Sequence, residues 1–216
     1  MKHIDKLKIC VGFLIEIIFP RDFDVFELRE ELNGGFLSSK KDDVHYLFKY
    51  KNKFVKQAIW EMKFKRNKQV AEFFGKFMAV EILENIDIRK NYLLIPTPIH
   101  KKRRVERGFN QCEWLCKEIM KNLEENGGNS TSSIKYSAKI LLRKEYTTKQ
   151  SWSNKNEREK NLKGVFQVSE KFQSEIVGAK IILIDDVLTT GSTIREMHRT
   201  FSKSGASEII SIVVAH

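Results

Sequence analysis

Two adjacent acids, Asp185 and Asp186, follow four aliphatic residues in the stretch IILIDDVLTTGST, residues 181 to 193. A run such as IILI has the composition of a buried strand, so the acids mark its end. Behind them Thr189, Thr190, Ser192 and Thr193 offer hydroxyl donors around Gly191. The glycine lets the backbone approach a ligand closely, and a helix is predicted to begin near Ser192 or Thr193. Its first N–H groups and its dipole favour an anion. Carboxylates beside an anion cradle suit a ligand that is hydroxylic at one end and phosphorylated at the other. A ribose 5-phosphate unit has that form, with its diol donating to the acids and its phosphate lying in the loop from Thr189 to Thr193. A Mg²⁺ ion near the acids and the diol oxygens suits the same chemistry. An acidic pocket of the response-regulator kind shares the strand-end acids but not the hydroxyl-rich loop.

Two further segments are strongly basic. IPTPIHKKRRVERGFNQ follows the apolar run YLLIP and packs Lys101, Lys102, Arg103, Arg104 and Arg107 into seven residues, with Gly108, Asn110 and Gln111 behind them. The stretch from Arg143 to Lys163 has seven basic residues and three acids around a lone Trp152. Basic residues with an interleaved aromatic suit a lid over a charged ligand, or a grip on single-stranded nucleic acid with Trp152 stacked on a base. His100 and His198 have no partner pattern and are expected to be structural or surface residues. No Ser, His or Cys arrangement points to covalent catalysis.

The elements that must position these groups are legible from periodicity. HYLFKY has strand composition, and FVKQAIWEMKF and NKQVAEFFGKFMAVEILENI carry apolar residues at helical spacing. From residue 92 strands and helices alternate. YLLIP is a strand followed by a basic loop and the helix QCEWLCKEIMKNLE; ENGGNSTSS is a flexible connection; AKILLRK, GVFQV, KIILIDD and EIISIVVA are strands; STIREMHRTFSKSG is a helix ended by Gly205. Aliphatic strands without alternation predict a parallel sheet covered on both faces, hence an α/β doubly wound architecture. The 216 residues fit one domain with a small appendage, and 41% hydrophobic content is enough for a core. A net charge of +11 favours polyanionic ligands. Three cysteines without scaffold spacing suit a reducing cytoplasm, and Cys112 and Cys116, four apart on one helix, are expected in the core. ICVGFLIEIIF is too short to span a bilayer and lacks a cleavage site, so no membrane span is expected.

IILIDDVLTTGST resembles, over all thirteen positions, the phosphoribosylpyrophosphate-binding signature of type I phosphoribosyltransferases. LFKYKNKFVKQAIWEMKFKRN, IPTPIHKKRRVERGFNQ and KQSWSNKNEREKNLKGVF narrow the resemblance to the ComF family of competence-associated, phosphoribosyltransferase-like proteins. The likeness covers about residues 44 to 216, plus FLIEIIFP near the start. It implies a type I phosphoribosyltransferase fold at 44–216 behind an N-terminal helical segment at 1–43. The family's four-cysteine zinc ribbon has no counterpart, because RDFDVFELREELNGGF holds no cysteine, so no zinc site carries over.

The resemblance also implies roles. Asp185 and Asp186 would hold the ribose hydroxyls, with Mg²⁺ close by or held indirectly, and Thr189, Thr190, Gly191, Ser192 and Thr193 the 5′-phosphate. Lys101, Lys102, Arg103, Arg104, Arg107, Gly108, Asn110 and Gln111 would receive the pyrophosphate, and Gln150, Trp152, Arg158 and Asn161 would belong to a hood that shields the reacting centre from water. The expected partner is phosphoribosylpyrophosphate, whose phosphoribosyl group passes to an unnamed acceptor. Other expectations are a non-catalytic accessory protein of DNA uptake, acting on single-stranded DNA with competence proteins, and, with less support, a purine salvage enzyme. A homodimer is compatible with the resemblance.

Overall fold

The computed structural model describes residues 39–41, 44–126, 133–145 and 163–216. The expectations for residues 1–38 and for most of ENGGNSTSS lie outside the described residues. In chain order the elements are β1 (Ser39–Lys41), β2 (Val44–Phe48), α1 (Lys53–Trp60), a π-helical turn (Glu61–Lys65), α2 (Lys68–Asn85), β3 (Tyr92–Pro96), α3 (Lys101–Arg107), α4 (Gln111–Asn126), β4 (Ile134–Tyr136), β5 (Leu141–Arg143), β6 (Phe166–Val168), α5 (Gln173–Ile176), β7 (Lys180–Val187), α6 (Ser192–Lys203) and β8 (Glu208–Ala215).

Six strands form one sheet in the order β1-β2-β8-β7-β3-β4. Every pair is parallel except β1 with β2 at the edge. β7 lies between β8 and β3, so its alternating side chains feed two cores. Ile182 and Ile184 join the core under α1, α2 and α4, whereas Ile181 and Leu183 join Ile194, Met197 and Phe201 of α6. Burial on both faces is why the strand reads as an unbroken aliphatic run. Among the described residues no helix is long and apolar enough to cross a membrane.

Three expectations change. The basic segment after β3 is a helix, not a loop: His100 caps α3 by accepting the Lys102 N–H at 3.1 Å, and Gly108 closes it in the left-handed region at φ 78°. AKILLRK and GVFQV do not join the main sheet; β5 and β6 pair with each other in an antiparallel ribbon. The sixth strand is instead β4, IKY, a three-residue segment beside the expected flexible connection. His198, bonded to Ser211 Oγ at 2.8 Å, is structural, as is the capping His100.

A candidate ligand site at the carboxyl edge of the sheet

Asp185 and Asp186 lie just before Val187 at the end of β7, and Thr97, just past the end of neighbouring β3, donates its N–H to Ile184 O at 2.8 Å. The two acids lie in the wall of a cleft of about 710 Å³ at the carboxyl edge of the strands. Each oxygen of Asp186 has one protein partner and keeps acceptor capacity: Oδ1 is ion-paired with Lys63 Nζ at 2.8 Å, and Oδ2 accepts from Gln111 Nε2 at 2.7 Å. Asp185 Oδ1 accepts the backbone N–H of Asp186 at 2.9 Å and the Cys112 thiol at 3.6 Å. Burial, then the charge of Asp186, pushes the Asp185 carboxyl up to about 7. Burial alone would draw Lys63 down, but the charge and hydrogen bond of Asp186, with help from Asp185, hold it above the usual lysine value.

The opposite charge gathers on another wall. Arg103 and Arg107 of α3 line the cleft together with Arg143 from β5. Burial and the charge of Arg103 draw both Arg107 and Arg143 below the usual arginine range. Guanidiniums that repel one another in a half-buried wall favour an anion that can bridge them.

The run from Lys101 to Gln111 therefore does not act as one loop. Lys101, Lys102 and Arg104 are exposed and do not line the cleft, and Arg104 is ion-paired with Glu113. Asn110, expected to face the pyrophosphate, is buried: it donates to Thr97 O at 3.0 Å and accepts the Cys112 N–H at 3.0 Å at the start of α4. Gly108 is the cap of α3, and Gln111 holds Asp186.

The hydroxyl loop turns into α6 through Gly191, which has φ 74°, so a Cβ there would be strained and would also meet Arg195 at 2.8 Å. Thr190 Oγ1 and Ser192 Oγ are 2.9 Å apart. Arg195 folds back over them, donating to Thr190 O at 2.9 Å and to Ser192 Oγ at 3.3 Å. Thr193 lines the cleft, and Thr189 is exposed at the turn. Of the hood, only its base falls on described residues; Gln150, Trp152, Arg158 and Asn161 lie outside them.

Residues 135–216 match the phosphoribosyl transferase domain family. DNA utilization protein YhgH of Escherichia coli K12 is 25% identical over 154 residues, covering 70% of this chain and 62% of that protein. Competence protein F of Haemophilus influenzae is 30% identical over 116 residues, covering 54% and 46%. Competence protein ComFC of Bacillus subtilis is 26% identical over 160 residues, covering 74% and 58%. The chain thus spans less than two thirds of the length of each. The chain is similar to these competence-associated, ComF-type proteins. Its fold is that of a type I phosphoribosyltransferase.

Three groups at the site, Lys63, Arg195 and the thiol of Cys112, are not legible in the sequence as facing a ligand, and Arg143 enters there only as the start of the basic stretch 143–163. Lys63 sits 123 residues from its partner and among many lysines, so only the family-like stretch that contains it carried a signal. The ligand atoms of Cys112, Asp185 and Asp186 lie within 4.8 Å of one another, which raises the question of a metal. Burial holds the Cys112 thiol well above its usual range, so it stays S–H and donates to Asp185. Each oxygen of Asp186 already has one protein partner, Lys63 or Gln111. As arranged, the acid pair does not fit a directly ligated Mg²⁺, which needs several free oxygen ligands in octahedral array.

Proposed function

We propose that this chain binds phosphoribosylpyrophosphate and transfers its phosphoribosyl group to an acceptor. The observation that carries the reading is the division of one cleft into a carboxylate end and a guanidinium wall. The ribose 2′- and 3′-hydroxyls donate to Asp185 and Asp186, the 5′-phosphate occupies the Thr189–Thr193 turn, and the diphosphate faces Arg103, Arg107 and Arg143. Mg²⁺ would come as the counter-ion of the diphosphate, beside Arg103, Arg107 and Arg143, and would supply further neutralisation of its charge. In the transfer the C1–O bond to the diphosphate breaks, its electron pair leaves with the oxygen, and an acceptor lone pair bonds C1. The acceptor's proton goes to solvent. The arginine wall stabilises the charge that gathers on the departing diphosphate, and buried carboxylates near C1 favour the developing positive charge.

The test is a thermal melt with phosphoribosylpyrophosphate and Mg²⁺. A ligand that binds only the folded pocket raises Tm, by about 2.7 kcal/mol of stabilisation at a hundred times its Kd. Asp185→Asn combined with Asp186→Asn removes that ligand-induced shift. An equal shift in the double variant refutes the diol assignment.

A second reading draws on the relatives' names and on the exposed side of α3. Lys101 and Lys102 stand outside the cleft, where they suit the phosphates of a single strand. On this reading the chain serves DNA uptake, with the pocket in a supporting role.

A further inference from the structure

Lys63 does not come from the loops that close over the ends of the parallel strands. It comes from the π-helical turn Glu61–Lys65 that extends α1. Such turns insert one residue into the helical ladder and rotate the following side chains by about 100° relative to a regular helix. The turn ends at Arg66, which has φ 57° and is the one non-glycine residue with positive φ among the described residues. That conformation is unfavourable for an L-residue, and it persists only when its surroundings fix it. Here they do: Arg66 donates to Arg107 O at 2.7 Å and lies over the ring of Phe109, while Arg107 lies over Phe64. The strained turn is thus clasped to the junction of α3 and α4, the same junction that supplies Gln111.

What the clasp delivers is one ammonium group into a carboxylate pair. The Lys63 side chain is 22% exposed and that of Asp186 6%, so the ion pair is largely shielded from water. Two buried acids side by side cannot both stay ionised without a cation, and a protonated acid is a poorer acceptor for sugar hydroxyls. The cation beside the pair is Nζ, 2.8 Å from Asp186 Oδ1.

We propose that Lys63 is the resident counter-cation of the acid pair, so that the pocket engages the diol of a ribose phosphate without a divalent ion at the carboxylates. The inference rests on the phosphoribose reading only for its sugar arm.

Two measurements test it. Mn²⁺ alone is titrated by electron paramagnetic resonance into wild type, Lys63→Met, Lys63→Arg and the Asp185→Asn, Asp186→Asn double variant. Wild type and Lys63→Arg are expected to bind no Mn²⁺ at the pair, whereas Lys63→Met gains a site. Wild-type Mn²⁺ binding that the double variant abolishes overturns the proposal, and so does a folded Lys63→Met that gains none. The wild-type result stands even if Lys63→Met does not fold.

In the second measurement ribose 5-phosphate, which lacks a diphosphate to carry its own metal, is titrated calorimetrically in EDTA and in Mg²⁺. Wild-type affinity should agree within about twofold between the two. Lys63→Met should lose about tenfold in EDTA, the scale of one lost charge-assisted contact, and recover in Mg²⁺. Wild-type binding that needs Mg²⁺ overturns the inference. Binding in neither condition instead overturns the phosphoribose reading, and the Mn²⁺ result then decides this inference by itself.

Discussion

Asp185→Asn should stabilise the protein at high pH and change it little at low pH. The carboxyl titrates near 7 in the fold, against an ordinary value of 3.8. An acid whose folded value is raised binds more protons folded than unfolded between those two values. Stability from this group therefore falls as pH rises from about 4 to 7 and stays low above. At about 1.4 kcal/mol per decade, ionised Asp185 costs roughly 4 kcal/mol at pH 8 and under about 2 kcal/mol at pH 5. Asparagine keeps an oxygen for the Asp186 N–H and the Cys112 thiol, but it buries an amide group at about 1–2 kcal/mol. The variant should then gain about 2–3 kcal/mol at pH 8 and almost nothing at pH 5. For a chain of this size that is a Tm rise of about 4–12 °C at the higher pH. Paired calorimetric melts of variant and wild type at the two pH values read that difference for Asp185 together with the groups it interacts with, Asp186 and Lys63. A Tm difference that is the same at both, or that favours wild type more at pH 8, refutes the assignment of a raised, buried carboxyl.

Two other outcomes follow from packing and charge. Gly75→Ala places a Cβ 2.5 Å from Glu118 Cβ where α2 crosses α4, so the helices must part; urea unfolding should show a loss of about 1–3 kcal/mol, and a neutral result refutes the close crossing at Gly75. If single-stranded DNA binds the outer side of α3, Lys101→Ala with Lys102→Ala should lower the slope of log affinity on log salt by about 1.4, roughly 0.7 for each phosphate contact, while Asp185→Asn leaves it unchanged; anisotropy across a salt series that shows one slope for all three proteins rules that surface out.

What the sequence disclosed was local and contiguous. Asp185, Asp186 and the turn through Gly191 are neighbours in the chain, and a strand end followed by a helix start places them together whatever the rest does. The parallel sheet was legible because burial on both faces leaves an unbroken aliphatic signature. The nature of α3 was not, because KKRRVER has no apolar face; its helix rests on a histidine cap, a glycine stop and contacts from Arg66 and Glu113. The β5-β6 ribbon has the same residue types as the core strands, and three residues give periodicity too little length to distinguish them. Basic residues were visible, but which of them enter the cleft depends on helical phase. Arg103 and Arg107, four apart on α3, face inward, while Lys101, Lys102 and Arg104 do not line it.

That phase also separates the two readings in space. A strand of nucleic acid threaded into the cleft would carry phosphates past Asp185 and Asp186, whose combined charge Lys63 offsets only in part. A ligand matched to this cleft must instead present anions to the arginine wall and neutral hydroxyl groups to the acids, as a phosphorylated sugar does. On the outer side of α3, Lys101 and Lys102 are exposed, and Glu113 is paired with Arg104. On the two proposed readings, a sugar-phosphate pocket would use the inner phase of this helix and a DNA-contacting face its outer phase, so the two are compatible in space. Coupling between them would have to run through α3 itself, whose carbonyl at Arg107 is gripped by Arg66 at the end of the turn that carries Lys63.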